Sequence, residues 1–345
     1  MITITDLCCY QCQIQPLVTL KPFHISRPGN PLKNVKKLRF SLNQKRNVAI
    51  EASNTNSRKR YAPNDRKKRE EKPVEEGIPI DQVKTLVKFK SRYNYIRVIE
   101  VSRRADHPFA GSRLLLLDAP GNIHSVSFIF KLLTETYFDV FATFPPILPP
   151  GGGPLGILGF GAGSAARIIL KLYPEVIIHG WELDPSVISV GREYFSLLKL
   201  ENDNPDRLFI NIGDALNASV RDGFSGILVD LFCKGSVIPQ LQDSTTWEKL
   251  KASLRKGGRI MVNVGGSCIE AEDSSIDGKM VMEKTLNAMY KVFPGKIFVL
   301  SLGRRKEDSS IALTGDLPHL DSWRLLLPAS LRGYVKMWTP FNGVQ

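Results

Sequence analysis

Short apolar runs alternate with amphipathic runs throughout the part of the sequence that follows Pro154. The apolar runs have the length of buried strands, and the runs between them repeat apolar residues at helical spacing. A chain with this order folds into a parallel sheet with helices on both faces, and it binds ligands at the carboxyl ends of the strands. We therefore predict a Rossmann-like α/β domain over residues 154–318. The predicted strands are residues 155–158, 176–183, 208–212, 227–230, 259–264, 297–302 and 309–314, and the predicted helices are residues 164–173, 185–198, 245–254 and a run near 282–293.

A glycine-rich loop joins the first predicted strand of this domain to its first predicted helix. The loop glycines are Gly159, Gly161 and Gly163. They allow a tight turn and a close approach of the backbone to a ligand, next to the positive end of the helix. Glu182 lies near the end of the next strand, 23 residues after Gly159. A carboxylate at that place can accept hydrogen bonds from both hydroxyls of a ribose, so the two features together predict a nucleoside site.

Polar features also follow the next two predicted strands. Gly213-Asp214-Ala215 comes after the third strand, where the Asp214 carboxylate can accept from an adenine amino group. Asp230 ends the fourth strand, where the substrate must lie. Any one of these acids could be a helix cap or a solvated turn residue, but four features at four successive strand ends favour a ligand site. The loop has Ser164 in place of a third glycine at the NAD spacing, so we predict S-adenosylmethionine or decarboxylated S-adenosylmethionine as the ligand.

The residues before Pro154 predict a smaller, β-rich domain. Residues 83–89, 95–101 and 113–118 are rich in β-branched, aromatic or aliphatic residues and are separated by polar turns. Residues 123–140 repeat apolar residues at helical spacing and predict a helix. Prolines and glycines in residues 144–154 predict a linker. The predicted organisation is residues 1–78 as a tail, 79–145 as a small β-rich domain, 154–318 as the Rossmann-like domain and 319–345 as a C-terminal extension.

The net charge of +13 is concentrated in the N-terminal tail. Residues 1–72 contain 16 basic and 5 acidic residues, which leaves a net charge of +2 for the rest of the chain. No nucleic-acid groove is therefore indicated for the folded body. An acid-poor, basic N-terminus is typical of an organelle transit peptide, and we predict a chloroplast location. The basic clusters at residues 57–60 and 66–69 leave a nuclear signal open, and a solvated tail on a cytoplasmic protein is the third alternative.

Other classes of site are disfavoured by composition and spacing. The five cysteines form neither a disulfide framework nor a zinc motif, which predicts a reducing compartment. The histidines show no spacing typical of metal ligands. No apolar run reaches the roughly 18–20 residues that a membrane-spanning helix needs. We expect no metal and no membrane association.

The motifs resemble those of the spermidine synthase (polyamine aminopropyltransferase) family, of the plant plastid type, within the class I methyltransferase superfamily. The likeness covers about residues 91–302 and rests on Leu155-Gly-Ile-Leu-Gly-Phe-Gly-Ala-Gly163, Trp181-Glu-Leu-Asp184, Asn211-Ile-Gly-Asp-Ala215, Ile227-Leu-Val-Asp230, Ser91-Arg-Tyr-Asn-Tyr-Ile-Arg-Val98 and Leu114-Leu-Leu-Leu-Asp118. The resemblance implies a small N-terminal β domain, a seven-stranded Rossmann-like sheet and a homodimer. It also implies cofactor contacts by Gly159, Gly161, Gly163, Glu182, Asp214 and Ala215, and a catalytic role for Asp230.

The acceptor side departs from the family pattern. Ala162 stands where the family has the loop aspartate that holds the aminopropyl amine, and Cys233, followed by Lys234, stands where it has a second acceptor carboxylate. Asn94 replaces an upstream glutamine, and the family's Tyr-His pair has no counterpart in residues 128–138. Asn94 and Cys233 are therefore candidate substrate contacts of altered chemistry. Polyamines are polycations, and each lost charged hydrogen bond costs about 1.5–3 kcal/mol of binding free energy.

Three functions remain open from the sequence. The favoured one is an S-adenosylmethionine-dependent methyltransferase whose small-molecule or protein acceptor is not identified, with Asp230 orienting or deprotonating that acceptor. The second is a divergent polyamine aminopropyltransferase with spermidine or spermine synthase activity. The third is a catalytically inactive module that binds a nucleoside or a protein, which the apolar Leu231 and Phe232 beside Asp230 favour.

Overall fold

In the computed structural model of the protein, the first four strands of the described chain form a small antiparallel sheet. The structure describes residues 78–151, 153–267, 269–303 and 309–343, so the targeting signals predicted for the tail lie outside the described residues. The small sheet has the strand order β1-β2-β3-β4, with β1 at Val83–Lys90, β2 at Tyr95–Val101, β3 at Ser112–Leu116 and β4 at Ile123–Phe128. The first three strands match strands predicted from β-rich patterning.

The helix predicted over residues 123–140 was wrong. β4 occupies the first six residues, and the short helix α1 (Tyr137–Phe141) begins only after a loop. Val126 of β4 is buried and lies opposite Leu114 of β3, whereas Phe130, which shares its predicted helix face, is 75% exposed. Pairing with β3 satisfies the backbone of β4, so tertiary contacts override the local spacing.

The second half of the chain forms the main sheet and its helices. The remaining strands are β5 (Leu155–Leu158), β6 (Ile178–Glu182), β7 (Leu208–Ile212), β8 (Phe224–Val229), β9 (Phe232–Cys233), β10 (Ser236–Val237), β11 (Leu254–Gly265), β12 (Ile297–Ser301), β13 (Ser310–Thr314) and β14 (Thr339–Pro340). The remaining helices are α2 (Ser164–Leu172), α3 (Pro185–Tyr194), α4 (Leu197–Asp203), α5 (Ser244–Ala252), α6 (Gly278–Val292) and α7 (Leu320–Leu326). Short 3-10 segments lie at Ile80–Gln82, Pro145–Ile147, Ala215–Asn217, Pro239–Gln242 and Ala329–Met337.

The main sheet is mixed and has the order β14-β12-β13-β11-β8-β5-β6-β7. β11, β8, β5, β6 and β7 are parallel, whereas β13 is antiparallel to both β11 and β12. The central strands β5 and β8 are buried over their whole length, as expected for strands covered on both faces. The predicted seven strands are present, but the sheet has eight, because β14 pairs with β12.

The C-terminal residues also contact the segment that joins the two sheets. The buried Trp323 of α7 donates a hydrogen bond from its indole to the carbonyl oxygen of Thr143 at 2.9 Å. Its ring stacks on Trp338, with 6.2 Å between the ring centroids. The C-terminal residues therefore pack against the body rather than extend from it.

Helix α3 begins where the sequence predicts but ends earlier. The Asp184 side chain accepts from the Ser186 amide, and Pro185 occupies the first turn; both are typical of a helix N-terminus. The predicted helix through residue 198 is interrupted because Ser196 has a φ of +54°, in the left-handed region. A right-handed helix cannot continue through that conformation, so α4 starts as a separate element.

Hydrogen bonds join the small sheet to the elements that follow β5 and β6. Ser125 Oγ of β4 accepts from the Ala162 amide at 2.9 Å, and Ser164 Oγ of α2 accepts from the Val126 amide at 2.9 Å. The turn between β1 and β2 is tied to Asp184, which accepts from Asn94 Nδ2 at 2.8 Å. These bonds fix the small sheet against the carboxyl ends of two parallel strands.

Candidate functional site

The glycine loop after β5 can be built only with glycine at two positions. Gly159 has a φ of +87°, and a Cβ there would lie 2.1 Å from the backbone oxygen of Asp230. Gly161 has a φ of +57°, and a Cβ there would lie 2.7 Å from Ser125 Oγ. The loop therefore packs against the end of β8 on one side and against the small sheet on the other, as a loop for close backbone approach requires.

Glu182, at the end of β6, is held in place by the glycine loop. Its Oε2 accepts from the Gly161 amide at 2.9 Å, and its Oε1 accepts from the Asp184 amide at 3.1 Å. Burial raises the pKa of Glu182, the charge of Asp184 adds to the rise, and the amide hydrogen bonds oppose it. A carboxylate has about four lone-pair positions, and the amides of Gly161, Leu183 and Asp184 use about three of them, so a fixed Glu182 can still accept from a ribose hydroxyl.

The surface beside Glu182 has the chemistry of an adenine site. Leu183 directly follows β6, and Ile212 is the last residue of the neighbouring strand β7. Their exposed fractions are 45% and 52%. Exposed apolar side chains at strand ends suit an aromatic ring. Asp214 is exposed, and its Oδ1 accepts from the Leu216 amide at 2.9 Å, which leaves acceptor capacity on the carboxylate. Ala215 is buried beneath this turn.

Asp230, directly after β8, lies between two side-chain donors. Its Oδ2 accepts from the Tyr137 hydroxyl at 2.8 Å, and its Oδ1 accepts from Asn263 Nδ2 at 3.0 Å. Burial raises the pKa of Asp230 to about 6, although the bonds from Tyr137 and Asn263 and the nearby His124 lower it. The pKa of Tyr137 is raised well above its ordinary value, first by burial and then by the charge of Asp230. A carboxyl group that titrates near neutrality beside a ligand loop is a candidate general base.

Sequence reasoning missed both partners of Asp230. The sequence shows no Tyr-His pair in residues 128–138, where Tyr137 is followed by Phe138, and the contact of Tyr137 with Asp230 appears only in the structure. Asn263 gives a clearer signal, since it is a polar residue inside the otherwise apolar C-terminal half of β11. Tyr137 and Asn263 lie 93 and 33 residues from Asp230 in the sequence, so no local motif joins the three.

A histidine near Asp230, His124, is held by a second buried carboxylate, Asp118. Asp118 is buried and accepts from His124 Nε2 at 3.0 Å and from Asn122 Nδ2 at 2.8 Å. Burial would raise the pKa of Asp118, but these hydrogen bonds outweigh it and hold the pKa below its ordinary value. The His124 ring meets the Phe232 ring edge-on, with 6.4 Å between centroids. The histidine therefore has a fixed carboxylate partner beside the segment that follows Asp230.

The other predicted acceptor residues are placed less favourably. Asn94 donates to Asp184 and so ties the small sheet to α3. Ala162 is fully buried in an apolar cluster with Val187 and Val190 of α3. Cys233 is exposed in the hairpin of β9 and β10, and the next residue, Lys234, has a φ of +50°. None of these contributes a carboxylate to the neighbourhood of Asp230.

The described residues contain no group of three or more His, Cys, Asp or Glu side chains that could hold a metal ion. No helix among them combines the length and the apolar character that crossing a membrane requires.

Comparison with known proteins identifies a curated relative. No family model matches the sequence. The chain is 28% identical over 207 residues to a "Probable polyamine aminopropyl transferase" of Bifidobacterium longum (strain NCC 2705). The match covers 58% of this chain and 43% of that protein, so the chain spans less than half of the relative's length.

Solved structures establish the fold. A probable spermidine synthase of Corynebacterium glutamicum aligns with a TM-score of 0.52 at 17% identity, covering 75% of this chain and 97% of that one. A spermidine synthase in complex with the transition-state analogue AdoDATO aligns with a TM-score of 0.49 at 16% identity, covering 67% and 71% of the two chains. The fold is therefore similar to that of the Corynebacterium glutamicum protein: a Rossmann-like mixed sheet preceded by a four-stranded antiparallel β domain.

Proposed function

We propose that this protein is a divergent aminopropyltransferase, which transfers the aminopropyl group of decarboxylated S-adenosylmethionine to an amine. The similarity to a probable polyamine aminopropyl transferase supports this reaction over the methyl transfer that the sequence alone favoured. One observation carries the proposal: the Asp230 carboxylate, with a pKa of about 6, is held between Tyr137 and Asn263. It lies directly beside the glycine loop, which has space only for glycine at Gly159.

The residues at the ends of β5, β6 and β7 fit the nucleoside part of the donor. Glu182 has the fixed carboxylate for the ribose, Leu183 and Ile212 offer apolar surface for the adenine, and Asp214 has an acceptor for its amino group. The bound sulfonium supplies an electrophilic carbon: as the new C–N bond forms, the C–S bond breaks and its electron pair leaves with the neutral thioether. The remaining chemistry is the removal of a proton from the acceptor amine.

Asp230 is suited to accept that proton. A primary amine with a pKa of about 10 is almost fully protonated at neutral pH, and only its neutral form is a nucleophile. With a pKa of about 6, Asp230 is mostly ionised at neutral pH and can take the proton and pass it to solvent. Tyr137 and Asn263 fix both carboxylate oxygens, which orients the base. A positioned general base contributes about 10²–10⁴ in rate.

Methyl transfer is the second candidate, and Ala162 is the observation that favours it. An apolar residue at the loop position gives no carboxylate to hold the aminopropyl ammonium of the decarboxylated donor. It also gives no negative charge to repel the carboxylate of intact S-adenosylmethionine. The same Asp230 would then deprotonate an acceptor for a methyl group.

A product assay separates these functions. The purified protein is incubated with decarboxylated S-adenosylmethionine and a panel of mono-, di- and triamines, and separately with S-adenosylmethionine and the same panel. We expect 5′-methylthioadenosine from the first set, and its loss in Asp230→Asn. S-adenosylhomocysteine from the second set, with no 5′-methylthioadenosine from the first, would replace the proposal by methyl transfer. Nucleoside binding without either product would leave the binding module as the function.

A further inference from the structure

The hairpin of β1 and β2 has a strong local positive charge. Residues 83–101 contain five basic residues and one acidic residue, Glu100. That carboxylate is engaged by Arg113, whose Nε lies 3.0 Å from Glu100 Oε2. The five cations, which we call the basic hairpin, are Lys84, Lys88, Lys90, Arg92 and Arg97. The net charge of +2 over residues 73–345 conceals this cluster, because acidic residues elsewhere offset it.

Strand pairing brings several of these cations together on one face. Lys88 of β1 lies opposite Arg97 of β2, and Lys90 lies opposite Tyr95. Both Lys88 Nζ and Arg97 Cζ lie over the Tyr95 ring, at 5.6 and 5.2 Å from its centroid. Like charges at directly opposite positions destabilise a sheet. The Lys88–Arg97 pair is therefore unfavourable for the sheet, and the fold itself does not require two positive charges at these positions.

The ionisation of Tyr95 reflects the same positive potential. A hydrogen bond with Lys88 lowers the pKa of the Tyr95 hydroxyl, and the charges of Lys88, Arg97 and Lys90 lower it further against the effect of burial. Arg97 also donates to the backbone oxygens of Asp118 and Ala119, which holds it in place over the ring.

Two lysines of the basic hairpin have no carboxylate partner in the described part of the chain. Lys88 and Lys90 are exposed, and within the described ranges no salt bridge joins either of them to a carboxylate, whereas Lys84 lies opposite Glu100 in the strand pairing. Residues 1–82, which precede β1 in the sequence, carry 16 basic and 8 acidic residues. That segment adds positive charge, so charge complementarity calls for an anionic partner from outside the chain.

An exposed aromatic ring lies beside these cations. Tyr93 is 37% exposed, and Arg92 Cζ lies 5.4 Å from the centroid of the Tyr93 ring. Lys88 and Lys90 project from one face of a strand, about 6.7 Å apart. Cations that follow a phosphate backbone, together with rings on which bases stack, are the usual means of binding single strands. We propose that the basic hairpin binds single-stranded nucleic acid.

Charge reversal on β1 tests this proposal, which does not depend on the transferase reaction. Binding of a fluorescent 20-residue oligouridylate to the full-length protein is measured by anisotropy over a range of KCl concentrations. We expect Lys88→Glu/Lys90→Glu to bind at least tenfold more weakly than wild type. Loss of two phosphate contacts should make the slope of log K against log salt less negative by about 1.4. Lys88→Gln/Lys90→Gln should give a smaller loss, and circular dichroism checks the fold.

Two controls locate the effect and identify the ligand. Lys249→Glu/Lys256→Glu/Lys291→Glu reverses three exposed lysines on other elements and should leave at least half of the affinity. Tyr93→Ala should weaken oligouridylate binding about fivefold or more through lost stacking, and should leave heparin binding unchanged. Equal affinities for wild type and the β1 glutamate variant would overturn the proposal. A Tyr93→Ala variant that binds oligouridylate like wild type would also overturn it. So would a β1 glutamate variant that loses binding to phosphatidylserine vesicles but keeps its affinity for oligouridylate.

Discussion

The two halves of the candidate site are built in different ways. The nucleoside half consists of strand ends that follow one another in the sequence: the loop from Gly159 to Gly163, then Glu182, then Asp214. The acceptor half joins Asp230 to Tyr137 and Asn263, which lie on α1 and β11. The first half can be predicted from local spacing, whereas the second exists only after the chain has folded.

The two halves also use their carboxylates differently. Backbone amides of Gly161 and Asp184 hold Glu182 as an acceptor with a fixed direction. Side chains hold Asp230, and burial raises its pKa to about 6. A fixed acceptor suits binding, while a group that titrates near neutrality suits proton transfer. If this contrast is correct, substitutions in one half should leave the function of the other half intact.

The largest effect is expected from Asp230→Asn. The substitution keeps the shape and removes the base, so turnover should fall by about 10²–10⁴. Release of 5′-methylthioadenosine at saturating donor and amine measures it. Asn217→Ala, at an exposed turn residue of the nucleoside half, is the control and should stay within about threefold of wild type. A fall of less than tenfold in Asp230→Asn would mean that the carboxylate is not the base.

Gly159→Ala should cause the next largest effect, on stability. A Cβ at this position would lie 2.1 Å from the backbone oxygen of Asp230, and the φ of +87° adds backbone strain. Gly295→Ala is the matched control, because Gly295 has a φ of +68° with no atom within 4 Å of its Cβ position. Strain alone costs about 1–2 kcal/mol. Chemical denaturation should therefore give Gly159→Ala a free energy of unfolding that is lower than that of Gly295→Ala by about 1 kcal/mol or more. Equal losses of unfolding free energy in the two variants would argue against the close contact at Gly159.

Asp230→Asn should also raise the stability of the protein at high pH. The pKa of Asp230 is about 6 in the folded protein against an ordinary 3.8, so the folded state binds a proton that the unfolded state has lost. Ionisation therefore lowers the stability of the wild type as pH rises from 4 to 6. A shift of two units corresponds to at most about 3 kcal/mol, and the lost acceptor reduces the gain to about 1–2 kcal/mol. The melting temperature of the variant should exceed that of wild type at pH 8 and approach it at pH 5. A wild type that is equally or more stable at pH 8 would contradict a raised pKa.

The smallest effect is expected from Tyr137→Phe. The hydrogen bond from Tyr137 lowers the pKa of Asp230, so its removal should raise that pKa above about 6. The active form is the ionised one, and the acidic limb of the pH–rate profile should therefore move to higher pH, by less than one unit. Asn263→Ala should move it in the same direction, since it removes the other donor. A shift to lower pH in either variant would show that these donors do not stabilise the carboxylate.

Some parts of the molecule follow from the sequence because their causes are local. The glycine loop and the start of α3 at Pro185 depend on residues within a few positions of each other, and both are present as predicted. The helix predicted over residues 123–140 failed because β4 gains its stability from pairing with β3. The early end of α3 at Ser196 and the eighth strand β14 also depend on tertiary packing. The partners of Asp230 were missed for the same reason.

Calorimetric titration with 5′-methylthioadenosine tests the central claim, that a separate nucleoside half precedes the catalytic carboxylate. Wild type, Glu182→Gln and Asp230→Asn are compared at pH 7.5. Loss of a charged hydrogen bond to the ribose, at about 1.5–3 kcal/mol, should weaken binding to Glu182→Gln by about 10–150-fold. Asp230→Asn should bind like wild type, since the proposed reaction places Asp230 at the acceptor and not at the nucleoside. Undiminished binding to Glu182→Gln, or loss of binding in a folded Asp230→Asn, would contradict the account.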